Sequence, residues 1–214
     1  MRQITKTLTA AAPVANAVCL AQQPLAAGAL TINGTLATAG VATLPAAYAI
    51  SITSNGNDSS RTFIITGTNA AGNTISQTVT GPNATTVFSS RAFLTVTSVT
   101  ISAASVGTAL TVGFGSFAVT APLPLDIHGW PDVSLQVVVD TTLGTPTWTV
   151  QQTLDNPWDT QYPTWFDHPD ASMVSETVNR QGNYAYVQAA VRLKLTADPG
   201  AATLTIVQAG DNRA

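Results

Sequence analysis

The residues best suited to metal or acid–base chemistry are concentrated in residues 155–170, which hold four aspartates and His168. Carboxylate oxygens and an imidazole could together bind a divalent cation. Aspartates in such loops also cap turns by accepting hydrogen bonds from backbone amides. A calcium loop would end in a bidentate glutamate, and the single glutamate, Glu176, lies outside this stretch. We therefore predict turn-forming aspartates here and assign no metal ligand, cofactor or catalytic residue.

His128 lies between Asp126 and Asp132 in a second group of this kind. We interpret these aspartates as turn-forming residues too, and assign no metal site to the group. An enzyme working near neutral pH usually draws on histidine or a tuned carboxylate, and this chain has only two histidines. The common phosphate-binding, zinc-protease and serine-hydrolase motifs do not occur in the sequence. A glycan depolymerase that uses paired aspartates such as Asp159 and Asp167 is the enzyme class left open. The prediction is a protein without catalysis.

Aromatic residues are dense in the same loop, at Trp158, Tyr162, Trp165 and Phe166. Flat rings with polar neighbours can stack on sugar faces, which would make the loop a carbohydrate-binding platform. Aromatic side chains are equally typical of the buried centres of protein interfaces. We predict an interface or core packing role for these four residues, take them as candidate interface residues, and keep carbohydrate binding as the alternative.

Composition narrows the fold and the partners. The chain has 214 residues, of which 45% are hydrophobic and 9% charged, with a net charge of −3. With two lysines and one glutamate, the chain has too few charged residues for a helical bundle or coiled coil. The acidic balance argues against nucleic-acid binding, and no apolar run reaches the roughly 18 residues of a membrane span. A single cysteine, Cys19, rules out an internal disulfide.

Alternating apolar and polar residues recur along the whole chain, which is typical of half-buried strands. One example places four apolar residues on one face of residues 133–139. Glycine and asparagine turns at 55–58 and 70–73 predict hairpins. The one helix expected is short, at residues 171–179, with Asp170 as its N-cap. The sequence thus predicts an all-β protein built from two antiparallel β-sandwich or jelly-roll-like modules.

Breaks in the strand pattern predict the domain organisation. Residues 1–25 form an extended N-terminal arm, 26–120 an N-terminal β-module, 121–131 a proline-rich linker, and 132–214 a C-terminal β-module containing the long aromatic loop. A low-charge arm can add strands to a neighbouring subunit. Its removal is expected to leave both modules folded. The candidate interface residues of the arm are Val14, Val18 and Leu20.

Several segments carry a resemblance to a known class of protein. They are AGALTINGT at 27–35, AGVATL at 39–44, ISITSNGNDS at 50–59, FIITGTN at 63–69 and TVTGPN at 78–83, followed by WFDHP at 165–169, AVRL at 190–193 and VQAG at 207–210. In these segments the chain resembles β-rich virion structural proteins of tailed bacteriophages. The resemblance covers most of the chain after the first 25 residues.

The resemblance implies a decoration or cement protein on the outer surface of the virion head, where it bridges subunits of the major capsid protein. It also implies a homo-oligomer, commonly a trimer, and it names no catalytic residue. A low charge content agrees with this role, because few charges need to be desolvated at repeated contacts. The alternatives are a tail, neck or head-fibre component, and a carbohydrate-binding adhesin module.

Overall fold

The computed structural model describes residues 2–126, 132–196 and 199–208, and these residues form an all-β protein. The predicted fold class is therefore confirmed. The chain divides into two compact units. We call residues 12–117 the N-terminal unit, and residues 1–11 together with 118–214 the C-terminal unit. In the part of the chain that is described, no helix is long and apolar enough to cross a membrane.

The C-terminal unit contains two antiparallel sheets. One sheet consists of β1 (Arg2–Ala10), β11 (Val133–Asp140), β14 (Arg180–Tyr184) and β16 (Gly200–Gln208), in the order β1-β16-β11-β14. We call it the β11 sheet. The unit's remaining strands, which we call the β12 sheet, are β10 (Leu123–Pro124), β12 (Thr147–Thr153), β13 (Phe166–Asp167) and β15 (Ala190–Thr196). In it, β12 pairs with both β13 and β15, and β10 pairs with β15.

Strand alternation builds the core of the C-terminal unit. Along β11, Val133, Leu135 and Val137 are buried while the residues between them face solvent. Trp148 on β12 is fully buried, and its indole Nε1 donates to the Val178 carbonyl at 3.1 Å. Burial of the indole would be costly without that hydrogen bond. The buried faces of the two sheets thus supply the hydrophobic stabilisation of this unit.

The N-terminal unit is built on long, irregular antiparallel strands. They are β2 (Val14–Gln22), β3 (Gly28–Ala29), β4 (Ala37–Thr38), β5 (Val41–Ser54), β6 (Thr62–Thr68), β7 (Thr74–Thr80), β8 (Thr86–Ile101) and β9 (Leu110–Val119), the last two residues of which belong to the other unit. The central order is β9-β5-β8-β6-β7. Register shifts between β5 and β8 mark bulges, which allow such long strands to bend.

Glycine controls how closely two strands of the N-terminal unit approach. A side chain at Gly113 on β9 would meet the backbone carbonyl of Val14 on β2. A glycine inside a strand weakens the strand but permits this close backbone approach. We infer that Gly113 is required for β2 to pack beside β9.

The N-terminal arm is the first prediction that the structure corrects. Residues 2–10 are extended, but as β1 they form nine register pairs with β16 of the same chain. Residues 14–22 form β2, which pairs with β9. Both strands complete the fold of their own units, since an unpaired strand edge is unfavourable. Removal of residues 1–23 is therefore expected to unfold the protein rather than to spare it.

Connections account for three further corrections. The turn at 55–58 was predicted to close a hairpin, but β5 and β6 lie on either side of β8 and do not pair with each other. The expected linker at 121–131 contributes β10 to the C-terminal unit, and its residues 127–131 lie outside the described residues. The expected helix at 171–179 is a single 3-10 turn, η1 (Ala171–Met173). It ends there because Val174 is extended and Ser175 has a positive φ of 56°.

Candidate functional site

The aromatic loop, residues 155–170, is held at its C-terminal end by the β12 sheet. Phe166 and Asp167 form β13, which pairs with Gln152 and Gln151 of β12. The backbone N–H of His168 then donates to the Val150 carbonyl at 2.9 Å. The last residues of the loop are thus fixed as a short edge strand.

The first half of the loop is fixed by its own aspartates and by Asn156. Asp155 Oδ2 accepts a hydrogen bond from the Thr164 backbone at 2.7 Å, which spans nine residues of the loop. Asp159 Oδ2 accepts from the Asn156 amide at 2.6 Å. The Asn156 side chain also accepts from the Trp158 backbone at 3.1 Å. The two carboxylates thus act as turn-forming groups, as predicted.

Metal binding receives no support from the arrangement of these groups. Within residues 2–126, 132–196 and 199–208, no three His, Cys, Asp or Glu side chains come together in a way that could hold a metal ion. The carboxylate of Asp170 caps η1 by accepting from the Ser172 backbone at 2.9 Å. The candidate group around His128 lies partly outside the described residues, because residues 127–131 are not among them.

The loop presents large apolar side chains to solvent. Trp158 is 41% exposed, Tyr162 42% and Phe166 62%, and Leu154 just before the loop is 75% exposed. Exposed apolar residues that occur singly are ordinary on protein surfaces, whereas these four all fall within residues 154–166 of the chain. Three of the four aromatic residues predicted to form a contact surface therefore lie at the surface.

Trp165, the fourth aromatic, is half-buried beneath a cation. The guanidinium carbon of Arg192, on β15, lies 4.1 Å from the centroid of the indole ring. The Nε of Arg192 donates to Gln151 Oε1 at 2.9 Å, and Gln151 Nε2 donates to Asp167 Oδ1 at 2.8 Å. Burial lowers the pKa of Arg192 to about 9, although nearby Asp167 favours the charged form. A cation–π contact and one amide bridge therefore hold a partly desolvated positive charge.

His168 lies in the core of the C-terminal unit rather than in an open site. It is 4% exposed, and its ring centroid is 4.4 Å from that of Tyr184 on β14. Its Nδ1 accepts a hydrogen bond from the Asp170 backbone at 3.0 Å, which requires Nδ1 to be unprotonated. Burial lowers the pKa of His168 below 6.5, although the Asp170 carboxylate favours protonation. His168 is therefore a neutral packing residue that anchors the end of the aromatic loop.

The three candidate residues of β2 have different surroundings. Val14 is half-buried and Leu20 is 40% exposed, whereas Val18 has no exposed surface. The Val18 carbonyl accepts from the Gly34 backbone at 2.9 Å, so this part of β2 is covered on both sides. The prediction that Val18 anchors an interface is wrong, because it belongs to the core of its own unit. Its neighbour Cys19 is equally buried, and burial raises the pKa of the thiol to about 12.

Sequence reasoning missed a buried carboxylate in the N-terminal unit. Asp58 has no exposed surface and accepts hydrogen bonds from Ser54 Oγ at 2.6 Å, Ser105 Oγ at 2.8 Å and the Val106 backbone at 2.8 Å. The Nε of Arg61 lies 3.7 Å from Asp58 Oδ1. We call these five residues the Asp58 cluster. No local signal distinguishes Asp58 from an ordinary turn residue, since Ser105 and Val106 follow it by 47 and 48 residues.

The charge state of Asp58 follows from its hydrogen bonds. Burial alone raises the pKa of the carboxyl, but the hydrogen bonds from Ser54, Val106 and Ser105 outweigh burial, so the net pKa lies below 3.8. A carboxylate that accepts several hydrogen bonds is stabilised in its charged form. The cluster joins the turn after β5 to the loop before β9, which is a structural role.

The C-terminal unit also carries an open polar cleft of about 500 Å³. Amide and hydroxyl side chains dominate its lining, which consists of Gln136, Val138, Ser172, Asn179, Arg180 and Gln181. Such groups can donate hydrogen bonds to sugar hydroxyls and accept hydrogen bonds from them. The cleft was not anticipated from the sequence, because its residues come from β11, from η1 and from β14 with the residue before it.

No protein family matches the chain, and no curated protein matches it.

Proposed function

We propose that this chain is a non-enzymatic structural protein of a tailed-bacteriophage virion. In this role it decorates the outer head surface and bridges subunits of the major capsid protein. The observation that carries the proposal is the aromatic loop, in which Trp158, Tyr162 and Phe166 are exposed on a segment fixed by internal hydrogen bonds. A preorganised apolar surface can bind a protein partner without first paying the entropy of ordering the loop.

Two further features support a contact role. Charged residues make up 9% of the chain, so a large contact surface can form with few charges to desolvate. The segments that resemble phage virion proteins include residues 165–169, at the end of the aromatic loop. We further propose that the protein assembles as a homo-oligomer, in agreement with the trimers implied by that resemblance.

Copy number per particle tests the proposal directly. Virions of the phage that encodes the chain would be purified, and this protein would be counted against the major capsid protein by quantitative mass spectrometry. A decoration protein is expected to be present in numbers that track the capsid subunit, because symmetry repeats its site over the shell. A handful of copies at one vertex would assign the protein to the tail, neck or a head fibre instead. Absence from the particle would refute a virion role.

Carbohydrate binding is the second candidate, and the polar cleft is the observation that favours it. Its residues Gln136 and Gln181 offer amide groups for sugar hydroxyls, whereas Asn179 Oδ1 already accepts a hydrogen bond from the Val139 backbone at 2.8 Å. Trp165 is poorly placed as a sugar platform, because the Arg192 guanidinium covers one face of its ring. Binding to host polysaccharide that is lost in Gln181→Ala but kept in Trp158→Ala would support the cleft. Loss in Trp158→Ala alone would point to the loop.

A further inference from the structure

The Arg192 guanidinium is hydrogen-bonded through Nε, and its two terminal nitrogens have no hydrogen-bond partner within the described residues. It lies on β15 directly opposite Gln151 of β12, and its Nε donates to the Gln151 side chain at 2.9 Å. This is the one hydrogen bond that the guanidinium makes within the described residues. No carboxylate in that part of the chain lies within 4.0 Å of it, since the ion pairs found there involve Arg61 and Arg180.

The surroundings of Arg192 fix its orientation. Trp165 covers one face of the guanidinium at 4.1 Å. Gln151 is itself held by Asp167, which accepts from Gln151 Nε2 at 2.8 Å. Both contacts restrict rotation of the long side chain, so less conformational entropy remains to be lost when a ligand binds.

The geometry of a guanidinium defines what it can receive. With Nε used by Gln151, the two terminal nitrogens remain, and their parallel N–H groups match the two oxygens of a carboxylate. Asp167 stabilises the Arg192 charge through Gln151 and not by a direct ion pair, so the partly buried guanidinium keeps a desolvation cost that an incoming anion would offset. Arginine beside tryptophan is also the composition most enriched at the energetic centres of protein interfaces.

We propose that Arg192 is the receptor for a carboxylate of the partner protein, an aspartate or glutamate side chain or a chain terminus, bound end-on by the two terminal nitrogens beside Trp165. This inference rests on the proposed function, because the partner surface is taken to be that of the major capsid protein. It adds to that function a specific ionic contact on the β12 sheet.

The test measures binding of the purified full-length protein to heads from a phage in which its gene is deleted. Arg192→Gln is expected to weaken binding about tenfold or more, because it leaves the partner's carboxylate desolvated without a counter-charge. Arg192→Lys keeps the charge but loses the planar guanidinium. Its binding to heads is expected to be weaker than that of wild type and stronger than that of Arg192→Gln. Arg91→Gln is the matched control, because Arg91 is an exposed arginine of the N-terminal unit that belongs to neither the aromatic loop nor the polar cleft.

A second arm tests the carboxylate and requires no variant. Heads whose surface carboxylates have been converted to amides should bind the wild-type protein as weakly as untreated heads bind Arg192→Gln. Equal binding of wild type and Arg192→Gln to untreated heads would overturn the inference and leave the proposed function standing. An effect of Arg192→Gln that persists unchanged on amidated heads would also overturn it, since the residue would then act through packing.

Failure of the wild-type protein to bind heads would count against the proposed function instead. The site would then be judged by titrating the protein with acetate while following the Arg192 Nε–H resonance by NMR. A saturable shift with acetate, absent with acetamide, is the expected result. The same response to both compounds would show that no carboxylate site exists. Preferential binding of a glycan carboxylate would show that the ligand is an acidic polysaccharide and not a protein.

Discussion

The Asp58 cluster and the aromatic loop both lie in irregular segments between strands, but the cluster buries its main polar group whereas the loop exposes apolar side chains. The cluster buries a carboxylate and satisfies it internally with two hydroxyls and a backbone amide. The loop uses its carboxylates for turns and directs Trp158 and Phe166 outward. The difference separates a segment that stabilises the fold from one that is available for binding.

The largest effect is expected on removing the centre of the cluster. Asp58→Ala would leave Ser54 and the Val106 amide without their shared acceptor, whereas Ser105 Oγ keeps the Gly107 carbonyl at 3.1 Å. Each group left unsatisfied costs about 1–3 kcal/mol, so the free energy of unfolding should fall by about 3 kcal/mol. Urea denaturation followed by circular dichroism measures it. Asp159→Ala, in the loop, is the matched control, and an equal loss in both variants would erase the distinction between the two segments.

A smaller effect on the free energy of unfolding is expected in β2, where a buried and an exposed residue can be compared. Val18→Ala removes two buried methyl groups and should cost about 2 kcal/mol of unfolding free energy, because the fully packed site cannot collapse around the cavity. Leu20→Ala, at a position that is 40% exposed, should stay within about 0.5 kcal/mol of wild type. The same denaturation series gives both values. A costly Leu20→Ala would indicate that β2 is more deeply packed than described.

The smallest effect is a pH dependence at the end of the aromatic loop. Because the folded protein holds the pKa of His168 below its ordinary value of 6.5, the unfolded chain binds a proton first as the pH falls. The contribution of His168 to stability is therefore complete above pH 6.5 and is lost as the pH drops below it. His168→Asn offers an oxygen to accept from the Asp170 backbone and does not titrate, so it should flatten this part of the stability curve. An unchanged slope would show that His168 titrates normally.

Strand content was predictable because alternation requires only neighbouring residues, as along β11, where each buried valine or leucine is followed by an exposed residue. Val18 was misjudged because Ala17, Val18 and Cys19 are buried in succession, and a strand covered on both sides does not alternate. The position of β8 between β5 and β6 and the partners of Asp58 depend on distant residues. No local pattern records such contacts.

The candidate site divides in the same way. A loop rich in aromatic residues, proline and aspartate could be selected from the sequence as a candidate site, since its composition suits neither a hairpin turn nor a strand. The contact between Trp165 and Arg192 could not be predicted, because it joins a loop residue to a strand residue 27 positions later. Only the pairing of β12 with both β13 and β15 brings the two side chains together.

The central claim is that the aromatic loop is the face that binds the virion head. The most direct measurement compares head binding by wild type, by Trp158→Ser/Tyr162→Ser/Phe166→Ser, and by Ile64→Ser/Phe88→Ser, a control that changes exposed apolar residues of the N-terminal unit. All three proteins should unfold at similar denaturant concentrations. Loss of binding in the loop variant alone is the predicted result. Normal binding by the loop variant would contradict the account.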